Sequence, residues 1–92
     1  MGSTTSWAAR RVLPDHLADA IAQAKERSGM SWRDLEAETG LHNSYLVRLS
    51  RGTRVPSTVA ARRILAVLDL DEDIADELRD IAVANHGLSR TR

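Results

Sequence analysis

Asn43, Ser44, Val47 and Arg48 place a carboxamide, a small hydroxyl, a methyl-bearing side chain and a guanidinium within six residues. These are the group types that read base edges in duplex DNA. Arginine can bond two acceptors on guanine, asparagine can read adenine, and a valine methyl can meet the thymine methyl. Each also has a plainer use. Asn43 could only cap a helix. Arg48 could only hold a phosphate or pair with Glu38. Nearby stand groups able to grip a phosphate: Ser31, His42, Tyr45, Arg51 and Arg54. Phosphate contacts position a domain on DNA without specifying sequence.

Nothing in the chain forms a catalytic constellation, so no enzymatic activity and no cofactor are expected. His16, His42 and His86 are far apart and lack an i, i+4 partner or any cysteine, which leaves no metal-ligand spacing. There is no Gly-rich phosphate loop and no Ser/His/Asp motif. Asp71 and Asp73 lack the length and glycine of an EF-hand loop.

The candidate residues must be positioned by helices, because apolar spacing is helical throughout and no useful stretch alternates with period two. Leu17, Ile21 and Ala24 predict a first helix from about Pro14 to Ser28, stopped at Gly29. Ser31 and Asp34 form a capping-box pattern for a second helix that carries Leu35 inward and ends by Gly40. A third helix is expected over about 43–50, anchored by Leu46 and Leu49, with Leu41 just ahead and Gly52 closing it. Pro56 forces Val55 out of the α region. Ser57 then caps a fourth helix, about 58–68, burying Ala60, Ile64, Val67 and Leu68. Asp71 caps a fifth, about 72–85, with Ile74, Leu78, Ile81 and Ala82 on one stripe; Gly87 is expected to end it. Two short helices over 31–50, joined through a glycine-containing turn, outline a helix-turn-helix.

At 92 residues the chain fits one domain. The expected division is an N-terminal arm over 1–13, a helix-turn-helix domain over 14–86 and a tail over 87–92. No apolar run approaches the roughly 20 residues of a membrane span, and MGSTTSWAARR has no apolar stretch like a secretory signal. Together with the absence of cysteine, this predicts a cytoplasmic protein. Formal net charge is zero, but its distribution is uneven. Residues 39–68 contain no acid and five arginines: Arg48, Arg51, Arg54, Arg62 and Arg63. Residues 69–80 contain seven acids against Arg79 alone. One segment suits an anion and the other does not.

The stretch MSWRDLEAETGLHNSYLVRLSRGTRVPS, residues 30–57, resembles the helix-turn-helix of lambda-repressor/Cro-type DNA-binding domains, the XRE family. Met30 and Leu35 fit its second helix, Gly40 its turn, Leu46 and Leu49 its buried pair. Arg51-Gly52, Arg54, Pro56 and Ser57 match its exit. The resemblance covers about residues 14–84 and implies an all-α, compact five-helix domain. It also implies that Asn43, Ser44 and Arg48 fall on base-contact positions. Three departures stand out. Trp32 replaces the usual glutamine and either offers its indole N–H to a phosphate or covers the core edge. Glu36 replaces a small alanine, which predicts looser packing between the second and third helices. His42 replaces the usual Ser or Thr cap, so capping is expected to shift to Asn43.

The resemblance implies a sequence-specific regulator of double-stranded DNA, of phage or bacterial repressor type, with residues 43–50 in the major groove. Such domains bind an inverted-repeat operator as homodimers, on half-sites about 34 Å apart. Ile74, Leu78 and Ile81 are the expected dimer surface, or else belong wholly to the domain's own core. Arg62 and Arg63 either reach the DNA flank or form an exposed helical face. Arg10 and Arg11 could form an arm in a minor groove. Tyr45 either seals the side of the domain or meets a phosphate. The rival reading is a protein-interaction module, such as an antitoxin or adaptor, whose acidic residues 69–80 grip a basic partner.

Overall fold

Leucines and isoleucines at helical spacing need partners to cover them, and five helices supply one another's. A computed structural model describes residues 13–90, with side chains through 85. Its helices are α1 (Asp15–Ser28), α2 (Trp32–Thr39), α3 (Asn43–Arg51), α4 (Thr58–Val67) and α5 (Glu72–Arg90). Among the described residues there is no strand. The fold is all-α, as the spacing of apolar residues predicts.

Leu13, Leu17, Ile21, Leu35, Leu46, Leu49, Ile64 and Leu78 are fully buried and form the centre. Burying each such side chain contributes about 1.5–3 kcal/mol. α1 packs across α3 and also touches α5, α2 contacts both α3 and α4, and α4 lies along α5. α3 is therefore held from two sides. Helices of eight and nine residues, such as α2 and α3, are too short to persist alone and depend on this packing.

Local chemistry sets the helix ends. Ser31 and Asp34 form the complete capping box: the Asp34 N–H donates to Ser31 Oγ and the Ser31 N–H donates to Asp34 Oδ2, both at 3.0 Å. The Ser57 hydroxyl accepts from the Ala60 N–H at 3.1 Å and caps α4. Gly29, Gly40 and Gly52 close α1, α2 and α3.

One expected end is displaced. Gly87 does not stop the last helix, which continues to Arg90. A glycine inside a helix costs about 1 kcal/mol relative to alanine, which weakens a helix without terminating it.

Candidate nucleic-acid interface

The turn between α2 and α3 is built by Thr39, the one buried polar residue of the described core. Its hydroxyl donates to the Leu35 carbonyl at 2.7 Å and accepts from the Leu41 N–H at 3.1 Å. Both polar faces of the hydroxyl are thus satisfied where water is excluded. Arg63 reaches back from α4 and donates to the Thr39 carbonyl at 3.3 Å. Arg63, though exposed, thus ties α4 to the turn. Sequence reasoning missed Thr39; the signal available was a hydroxyl directly before the turn glycine.

α3 enters from His42. The imidazole itself caps the helix: its Nδ1 accepts from the Ser44 N–H at 3.1 Å and lies 2.9 Å from Ser44 Oγ. The expected shift of the cap to Asn43 does not occur. A ring nitrogen can accept as a serine oxygen does, and Asn43 is engaged elsewhere. Its Nδ2 donates to Glu36 Oε1 on α2 at 2.8 Å. The Glu36 position, expected to loosen the α2–α3 packing, instead carries this bond between the two helices.

Leu46 and Leu49 anchor α3 in the core, and its opposite side faces out. Ser44 and Arg48 are exposed, while Asn43 and Val47 are half-buried. Arg48 forms no ion pair with Glu38 or any other carboxylate among the described residues. Arg51, Arg54 and Arg62 are also exposed and without a carboxylate partner there. Arg48, Arg51 and Arg54 thus group three unpaired guanidinium charges at the end of α3 and in the loop after it.

Tyr45 seals the side of the domain. Its hydroxyl oxygen accepts from the Ser57 N–H at 3.1 Å, which ties α3 to the start of α4. The Arg54 guanidinium lies 5.2 Å from its ring centroid, a cation–π distance. The hydroxyl proton remains available to an outside acceptor. Trp32 is half-buried against the core edge, with Lys25 Nζ 4.8 Å from its ring centroid. Ser31 is exposed, its oxygen accepts within the capping box, and its hydroxyl also bonds the Asp34 carboxylate.

The expected dimer stripe divides. Leu78 is fully buried in the chain's own core, so a second copy could touch it only by opening the domain. Ile74 and Ile81 are partly buried against that core. Among the α5 residues with described side chains, Val83, 61% exposed, is the large apolar residue presented outward. A groove of about 350 Å³ runs between α4 and α5, with Leu65 and Val83 in its lining and Arg62 and Arg79 beside them. Arg10 and Arg11 lie outside the described residues. Among the described residues no group of acidic, His or Cys side chains could hold a metal ion, and no helix is long and apolar enough to cross a membrane.

Comparison with known proteins places the same segment. A family model described as "Helix-turn-helix domain" matches residues 16–78. Among curated proteins, the cyanate hydratase of Pseudomonas aeruginosa is 35% identical over 65 residues, covering 71% of this chain and 42% of that protein. An uncharacterized HTH-type transcriptional regulator, y4dL of Sinorhizobium fredii, is 30% identical over 71 residues, covering 77% of this chain and 36% of that protein. The chain thus spans about two-fifths of the length of the curated relatives it matches. No solved structure matches it significantly.

Proposed function

Because the chain belongs to the helix-turn-helix domain family, a DNA-binding architecture, we propose that it is a sequence-specific regulator of transcription of the phage or bacterial repressor type. The observation that carries this reading is α3 itself. Its leucines are fully buried, while Ser44 and unpaired Arg48 are exposed on the side away from the core. A major groove admits one α-helix and is read from such a side. Arg51, Arg54, Ser31 and the Tyr45 hydroxyl would bind phosphates along its rims. The likeness to a protein named as a transcriptional regulator supports the same reading.

In this proposal the protein binds an inverted repeat as a homodimer in the cytoplasm, on the nucleoid, and catalyses no reaction. Pairing would use the outer side of α5, through Val83 and the surface that Ile74 and Ile81 retain. The likeness to cyanate hydratases is confined to under half their length, and no catalytic step is inferred from it. Selection of bound sequences from a random duplex pool tests the proposal. An enriched inverted repeat supports reading and symmetry together. No enriched motif at moderate salt removes the sequence-specific reading.

A second reading rests on the exposed acids of α5. Glu72, Asp73, Asp76 and Asp80 are all exposed, a surface suited to a basic protein partner of an antitoxin or adaptor. Salt dependence separates the two. A DNA regulator loses affinity steeply, with a log–log slope of about 0.9 per phosphate neutralised. An interaction module binds DNA weakly and without sequence preference.

A further inference from the structure

The Glu36–Asn43 bond lies where the second helix meets the first residue of the recognition helix. Glu36 is half-buried, its Oε1 is 2.8 Å from Asn43 Nδ2, and the residues are on different helices. The chemistry fixes which way the carboxamide faces. An ionised carboxylate only accepts hydrogen bonds, so it must face the amide nitrogen. The amide oxygen then faces away from α2. A free asparagine at this position could turn either its donor or its acceptor outward. Held by Glu36, it presents an acceptor, and one Nδ2 hydrogen stays available beside it.

We propose that Glu36 is a specificity-setting residue: it orients Asn43 so that α3 offers a hydrogen-bond acceptor to one base, selecting adenine or cytosine over guanine or thymine. In the major groove adenine and cytosine present an exocyclic amine, whereas guanine and thymine present acceptors there. Adenine suits the site best, because its N7 can also take the remaining Nδ2 hydrogen. Glu36 is a positioning residue and touches no base itself. This inference rests on the DNA-reading role proposed above for α3.

The test is selection from a random duplex pool with the wild-type chain and the N43A, E36A and E36Q variants, alongside thermal unfolding of each. N43A identifies the base pair whose preference depends on Asn43. At that pair the wild type is expected to favour adenine or cytosine by about five- to a hundredfold, the range of a good side-chain-to-base match. E36A should lose this preference while the rest of the motif persists. E36Q, whose carboxamide can donate as well as accept, no longer dictates which end of the Asn43 amide it meets and should blunt the preference. A purely structural Glu36 would instead lower unfolding temperature and weaken all sequences alike. A wild-type preference for guanine or thymine at that pair, an unchanged motif in E36A, or a preference in E36Q as sharp as the wild type's overturns the proposal. If the wild type enriches no motif at all, the DNA-reading role fails and Glu36's with it. An enriched motif that ignores Glu36 sinks this inference alone.

Discussion

Leu13 and Gly52 meet back to back: the Leu13 N–H donates to the Gly52 carbonyl at 3.0 Å, and a Cβ on Gly52 would stand 3.0 Å from the Leu13 carbonyl oxygen. Gly52 has φ +77, which L side chains rarely adopt. The pair locks the entry of α1 to the end of α3. Gly29 supplies an internal control, with φ +75 and no atom within 4 Å of its virtual Cβ. G29A should therefore cost about 1 kcal/mol, from the backbone conformation alone. G52A should cost about 2–3 kcal/mol, because the Leu13 backbone must also yield. Urea unfolding of both variants checks the ordering. Equal losses would show that the Leu13 contact is slack.

Tyr45 should act on the fold before it acts on any ligand. Y45F removes the hydroxyl that accepts from Ser57 but keeps the ring beside Arg54. The expected loss is about 0.5–1 kcal/mol, toward the lower end for a hydrogen bond because Ser57 is exposed to water. If the hydroxyl also donates to a phosphate, Y45F weakens binding to specific and scrambled duplexes alike, with the salt slope unchanged because a neutral hydroxyl releases no counterion. Unchanged affinity for both duplexes assigns the hydroxyl to the α3–α4 junction only.

Local rules carried the sequence reading a long way. Ser31 and Asp34 announce their capping box because both partners lie within one turn. Leu46 and Leu49 announce a buried face because they are three apart. The relationships that escaped are tertiary. Glu36 and Asn43 are seven residues apart on two helices, and no period links them. His42 looks like a poor cap by residue type, yet its ring nitrogen sits where a serine oxygen would. Leu78 lies on a stripe that looks like surplus apolar surface until α1 and α4 are packed beside α5. Arg63 has the charge of a flank contact, and only the position of the Thr39 carbonyl reveals its use.

Arg48 and Arg54 should differ in what they do to DNA binding. Arg48 is exposed on the outer side of α3 and unpaired with any carboxylate among the described residues. R48A should cost about 1–3 kcal/mol on the preferred site and relax choice at one base pair. Arg54 lies in the loop after α3, against Tyr45. R54A should weaken binding to all sequences alike and reduce the salt slope by about 1. Titrations of specific and scrambled duplexes at several salt concentrations measure both. If R48A weakens both duplexes equally, Arg48 is a phosphate ligand.

The capping box of α2 makes one element of stability depend on pH. Hydrogen bonding from the Ser31 backbone N–H, and then from its side chain, holds the Asp34 carboxyl below its ordinary value of 3.8. A carboxylate whose folded pKa is lowered binds protons more readily when unfolded. Its contribution is therefore complete above the unfolded value and declines as pH falls through the folded one. D34N keeps an oxygen acceptor for the Ser31 N–H but removes the charge that also favours the positive end of the helix. At neutral pH the variant should be the less stable protein. The difference should hold down to about pH 4 and shrink below it, since the remaining carboxylates titrate alike in both chains. Urea midpoints measured across this range give the comparison directly. A difference that stays constant down to pH 2, or widens, would show that the charge on Asp34 does not support the helix that carries Glu36 toward α3.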